Sequence, residues 1–173
     1  AKLMKERFGI TNPRGLMYRT HTHTAGDSLT RQQPLNNIVR TAYEALAAVW
    51  GGTQSLHTCS YDEPTCLPTE QAVRIAIATQ QILFHEVGAG NVVDPLAGSY
   101  YVESLTDRIE EEAKAILHEI ESQGGWLKAV YNGWVVRQIE KAAVQFQKEL
   151  ESGERIVVGL NAYTVPEEED EDV

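Results

Sequence analysis

The chain has 173 residues, 42% of them hydrophobic, and a formal net charge of −10, enough for one domain's core and opposite in sign to the clustered Lys and Arg that a phosphate-binding surface needs. No apolar run approaches the roughly 18 residues of a membrane span, and the opening AKLMKERFG lacks the apolar centre of a signal peptide, so the expectation is a cytoplasmic protein with neither nucleic acid nor membrane as partner. Six of the 25 acidic side chains lie between Glu167 and Asp172, leaving 15 basic against 19 acidic, or −4, for the body; residues 166–173 read as an acidic, disordered tail.

In chain order, LMYRTHTHT at 16–24 is rich in β-branched and aromatic types with a period of two, and Ala25-Gly26-Asp27 breaks it, which predicts a strand and its exit loop. Asn36 and Asn37 are expected to cap a helix buried through Ile38, Ala42, Ala45, Leu46 and Val49 and stopped at Gly51-Gly52. A second strand is expected over 53–60, TQSLHTCS. Thr69 then caps a helix to about Val87 that is apolar on several sides.

From residue 88 the pattern changes. Asp94-Pro95 and Ala97-Gly98-Ser99 form a loop, and Ser104 with Asp107 gives an S-x-x-D capping signal for a long helix buried through Leu105, Ile109, Ala113, Ile116, Leu117 and Ile120. A further helix is expected over 135–151, buried through Ile139, Ala143, Phe146 and Leu150, followed by a short strand over 155–160. Trp50, Trp126 and Trp134 read as core or interface anchors.

Strand, helix, strand, helix with short connections is the order of a parallel α/β sheet or barrel. Two such units cannot close an eight-stranded barrel, which takes roughly 250 residues. The chain therefore either completes a barrel begun elsewhere or forms a small standalone α/β domain.

Sites in parallel α/β folds form at the carboxyl ends of strands. Two clusters fall there: His21 and His23 with the loop 25–27, and Gln54, His57 and Cys59 with Tyr61, Asp62 and Glu63. His-x-His on one strand can offer two imidazoles to a metal, but such a site needs further ligands, and His and Thr on a strand also satisfy one another's hydrogen bonds. Cys59 and Cys66, six residues apart, give neither a disulfide framework nor a zinc-knuckle spacing. Gly51-Gly52-Thr53 precedes a strand rather than opening a helix, so it reads as a turn and not a phosphate loop.

The stretch GGTQSLHTCSYDEPTCLPTEQAVRIA, residues 51–76, resembles the catalytic subunit of the adenosylcobalamin-dependent acyl-CoA mutases, the methylmalonyl-CoA mutase family, whose usual wording there is GGTQSLHTNSFDEALALPT. RTHTHTAGDSLTRQQPLNNIVRTAYEALAAV, NVVDPLAGSYYVESLTDRIEEEA and RIVVGLNAY resemble neighbouring family segments, so the similarity covers nearly the whole chain. The TAG and QQPLNN wording leans toward the isobutyryl-CoA and 2-hydroxyisobutyryl-CoA branch.

The resemblance implies an α/β fold in which residues 1–87 are the last two strand-helix units of a TIM barrel and residues 88–165 a helical segment after it. In the family, acyl-CoA threads the barrel axis and cobalamin, on a separate domain, covers the carboxyl-terminal mouth. The reaction is a radical-based 1,2 carbon-skeleton rearrangement. By position, His21 and Gln54 match residues that hydrogen-bond acyl-CoA, and His23, Cys59 and Glu63 stand where the family lines its adenosyl pocket.

Three positions depart from the family pattern: His23 replaces a usual Gln, Cys59 a usual Asn, and Asp27 an apolar or aromatic residue. The Asp-x-His-x-x-Gly cobalamin motif is absent from this sequence. The implied partners are thus the amino-terminal part of the barrel, a cobalamin-binding domain or subunit and an acyl-CoA substrate, in an oligomer, and the chain is not expected to catalyse alone. The alternative reading is a non-catalytic interaction or regulatory half-barrel that has lost cofactor binding.

Overall fold

A computed structural model describes residues 1–166; the acidic run from Glu167 lies outside the described residues. The chain divides into two units, Ala1–Pro95 and a second from Leu96 onward.

In the first unit, two short helices precede the expected strand: α1, Lys2–Phe8, and α2, Pro13–Leu16. Gly9 closes α1 at φ 62°, a left-handed conformation that glycine adopts at no steric cost. Asn12 caps α2 by accepting the Arg14 N–H at 3.0 Å, with Pro13 at the first helical position. Strand β1 follows at His21–His23, then a 3-10 turn Gly26–Ser28, helix α3 Asn36–Trp50, strand β2 Ser55–His57 and helix α4 Glu70–His85.

The strands pair in parallel, with His21 opposite Ser55, Thr22 opposite Leu56 and His23 opposite His57. The α/β class with a parallel sheet is therefore as expected, although both strands are shorter than 16–24 and 53–60. Backbone pairing outlasts the ladder by one residue at each end, in Gln54 N–H to Thr20 O at 3.2 Å and Thr24 N–H to His57 O at 3.1 Å. Beyond that the Gly51-Gly52 turn and the carboxyl-end loops carry the two chains apart. Gly52 has φ 82°, as the turn requires.

Helices α3 and α4 pack on one another and α3 packs on β2. Ala45, Leu83 and Ala89 are buried there, with Leu46, Val49, Trp50 and Leu56 around them. Thr69 caps α4 as read, its Oγ1 accepting the Ala72 N–H at 3.3 Å. Asn36 and Asn37 do not cap α3. They are its first two residues, and the entry is closed by turn bonds from Asn36 to Gln33, Asn37 to Pro34 and Ile38 to Leu35. The face of α3 that is buried runs through Asn37, Thr41 and Ala45.

In the second unit, α5 spans Tyr100–Ser122, α6 Trp126–Tyr131 and α7 Trp134–Ser152. The cap of α5 is Ser99, whose Oγ accepts from Val102 N–H at 3.5 Å, not Ser104, which lies inside the helix. The same chemistry is available one turn earlier, and Glu103 reinforces it by accepting the Gly98 N–H at 3.1 Å.

The stripes expected to be buried on α5 and α7 are not. Ile109 is 56% exposed, Ile116 54%, Ile139 64% and Phe146 45%. Helix α6, which packs against both, is too short to cover them. Trp126 on α6 is exposed and Trp134 half-buried.

The strand expected over 155–160 is a turn with a single bridge between Val158 and Ala162. Asn161 folds it back, accepting from Val157 N–H at 2.8 Å and donating to Arg155 O at 2.7 Å and Leu150 O at 3.0 Å. Among the described residues, no helix is long and apolar enough to cross a membrane.

Candidate functional site

Residues two apart on a strand share a face, and the observed register puts His21, His23, Ser55 and His57 on one side of the strand pair. His21 Nδ1 meets Ser55 Oγ at 2.7 Å. His23 and His57 stack with ring centroids 4.3 Å apart. His23 Nδ1 lies 2.6 Å from Thr24 O. A carbonyl only accepts, so Nδ1 carries a proton and donates it to Thr24 O, leaving Nε2 as the ring's second polar atom.

Gln54 sits at the amino-terminal end of the pair. Its Oε1 accepts from Thr20 N–H at 2.6 Å and its Nε2 donates to Gly52 O at 2.5 Å. An amide has two donor hydrogens and two lone pairs, so half of its capacity is left for another group.

The other three candidates gather at the carboxyl-terminal end. Cys59 is 2% exposed; its N–H donates to Thr24 Oγ1 at 2.8 Å, its thiol donates to Thr24 O at 3.2 Å, and its sulfur lies 3.8 Å from His23 Nδ1. Burial pushes this thiol above its ordinary value; a Thr24 contact works against the shift, and the negative charge of Glu63 adds to it. Glu63 is half-buried, with Oε1 accepting from Ser60 N–H at 2.8 Å. Its Oε2 faces Gly26, where an added Cβ would come to 3.9 Å. The carboxylate therefore belongs to both carboxyl-end loops.

His23, Cys59 and Glu63 thus form one neighbourhood, and His21 and Gln54 lie toward the other end of the strands. Asp27 is exposed on the 3-10 turn. His85 ends α4 and lines a hollow that Gln54, Ser55 and Leu56 also line, and His118 lies on α5.

Three residues that shape this end are not read from the sequence as part of a site, Asn37 being expected there only as a helix cap. Thr24 ties the two strands together through Cys59. Glu44, half-buried on α3, accepts from Ala25 N–H at 2.7 Å and from Ser28 Oγ at 2.6 Å. Asn37 is fully buried and makes bonds to both loops. The available signal was a polar residue, Asn37, placed four before Thr41 and eight before Ala45 on a helix that must face a core.

The sequence matches the methylmalonyl-CoA mutase family over residues 1–173. It is 49% identical to a probable mitochondrial methylmalonyl-CoA mutase of Caenorhabditis elegans over 173 residues, all of this chain and 23% of that protein. It is 51% identical to a methylmalonyl-CoA mutase of Rhizobium meliloti over 172 residues, 99% of this chain and 24% of that one. It is 46% identical to the 2-hydroxyisobutanoyl-CoA mutase large subunit of Aquincola tertiaricarbonis over 169 residues, 98% of this chain and 30% of that one. The chain spans about a quarter of the length of these curated relatives. With a match along its whole length and the parallel strand pair in place, the chain belongs to the methylmalonyl-CoA mutase family.

Proposed function

We propose that this chain is part of the catalytic subunit of an adenosylcobalamin-dependent acyl-CoA mutase, an isomerase that carries out a 1,2 carbon-skeleton rearrangement of the methylmalonyl-CoA or isobutyryl/2-hydroxyisobutyryl-CoA type. Its two strands and α3 and α4 are the last two units of a TIM barrel. An amino-terminal barrel segment and a cobalamin-binding domain or subunit complete the site, and the chain is not active alone.

The observation that carries this reading is the order of polar groups along one strand pair. His21 and Gln54 lie toward the amino-terminal end and bind the acyl-CoA. His23, Cys59 and Glu63 lie at the carboxyl-terminal end and form the adenosyl pocket, with Cys59 behind His23. The polar set suits that ligand: a half-buried carboxylate with one oxygen engaged by backbone has the other to accept ribose hydroxyls, and His23 has Nε2 left once Nδ1 is bonded to Thr24 O.

Adenosylcobalamin supplies the radical chemistry when bound. The chain's own contribution is to bind and orient acyl-CoA through His21 and Gln54, to hold the adenosyl group at Glu63, and to help exclude water.

The test is reconstitution of this chain with the amino-terminal barrel and cobalamin segments of a relative, assayed with methylmalonyl-CoA, isobutyryl-CoA and 2-hydroxyisobutyryl-CoA. Isomerisation that depends on adenosylcobalamin is expected for one of them. A stable complex without cofactor binding or turnover would sink the proposal in favour of a non-catalytic half-barrel.

A further inference from the structure

Helix α3 presents a row of polar side chains to the carboxyl ends of the strands. Asn37 is its centre: 0% exposed, it accepts from Thr30 N–H at 3.1 Å and from Arg40 Nη1 at 2.7 Å, and it donates through Nδ2 to Thr30 O and Tyr61 O, both at 2.8 Å. Arg40 Nη1 also donates to Thr30 Oγ1 at 2.9 Å. One buried amide therefore spans the loop after β1 and the loop after β2, with all four of its hydrogen-bonding positions in use.

We infer that Asn37 is a positioning residue, a clamp that fixes the loop carrying Glu63 against the loop that follows His23 and so sets the adenosyl pocket. This rests on the mutase reading and deepens it. The two loops share few other ties. Thr24 joins the strand ends, and Glu44 holds only the first loop, at Ala25 and Ser28. Asn37 alone among these takes hold of both Thr30 and Tyr61, the latter two residues before Glu63. A buried amide with every partner made specifies one arrangement, because any sliding of one loop past the other leaves a buried donor or acceptor unmet.

The test uses Asn37→Asp in the complete mutase. The substitution preserves shape and the acceptor for Thr30 N–H, but replaces the donating group by an oxygen set against two carbonyls. Ala45→Gly, on the same helix and in the core rather than at the loops, is the control for general destabilisation. With Asn37→Asp, which loses both Nδ2 hydrogen bonds, half-saturating adenosylcobalamin should rise at least about 10-fold, with KM for acyl-CoA changed less than about twofold. Ala45→Gly should leave the ratio of the two unchanged. Equal shifts in both variants would overturn the inference.

Amide exchange gives a second reading that needs neither turnover nor a well-folded variant. In the wild type, Thr30 N–H, bonded to Asn37, and Glu63 N–H, bonded to Ser60 O, should open as one unit, with protection within about threefold. Protection differing more than about 10-fold would show independent loops and remove the clamp. A wild-type protein without any adenosylcobalamin dependence defeats the mutase reading, and the exchange result then decides the clamp on its own.

Discussion

Glu63 has one oxygen engaged by the Ser60 amide, and its other oxygen faces Gly26. A carboxylate in this half-buried setting accepts hydroxyls more strongly than an amide does, because charge-assisted bonds carry roughly 1.5–3 kcal/mol. Glu63→Gln keeps the shape and removes the charge. In the reconstituted mutase it is expected to raise half-saturating adenosylcobalamin about 10-fold or more while leaving the acyl-CoA KM within about twofold; titrating each ligand separately checks this. Cys59 yields a pH prediction. Its thiol is raised by burial, so below the unfolded value of about 8.5 both states hold the proton and the group has no effect on stability. Above that value the unfolded chain sheds its proton first and the native chain keeps it, so stability falls as pH rises. Urea midpoints at pH 8 and pH 10 should therefore drop further for the wild type than for Cys59→Ala, and equal drops would contradict the assignment.

Helix α4 shows what a single cap contributes. Thr69 accepts the Ala72 amide, and its own N–H is held by Asp62 Oδ2 at 2.9 Å, which links the cap to the Glu63 loop. Thr69→Ala should cost about 1 kcal/mol, typical of a lost cap, read as a shift in the urea midpoint without a change in slope. That cap was legible in the sequence, as was the Gly51-Gly52 stop, since each depends on residues within one turn, and the parallel pairing followed from the strand, helix, strand, helix order. The strand lengths were not, because at the carboxyl end the ladder stops where the loops diverge, and there Asn37, Thr24 and Glu44 bond to partners 7 to 35 residues away. The same reason hid the role of Asn37. Periodicity marks a helix face as inward, but not which loop meets it. His21 and His23 on one side followed from spacing alone; that His23 Nδ1 is held by its neighbour's carbonyl did not.

At the scale of the whole molecule, much apolar surface is left open. In the first unit Phe84 is 70% exposed beside a hollow of about 370 Å³ lined by Val49, Leu56 and Leu83 next to β2. In the second, the apolar stripes of α5 and α7 stand open at Ile109, Ile116, Ile139 and Phe146. Amphipathic helices take most of their stability from burying such a stripe, and a two-stranded sheet is marginal without further pairing. Relatives three to four times longer than the matched segment supply further chain, and the barrel reading places strands against β2. The chain alone is therefore expected to self-associate and to bind an apolar dye, and addition of the amino-terminal barrel segment of a relative should abolish both, with a single sedimenting complex replacing a broad distribution. Phe84→Glu, at the edge of the hollow, should weaken that complex at least about 10-fold, because a charge would have to be buried without a partner. A monodisperse monomer that unfolds cooperatively and ignores the added segment would instead make residues 1–87 a domain complete in itself, and the open faces of α5 and α7 would then need an occupant other than a mutase barrel.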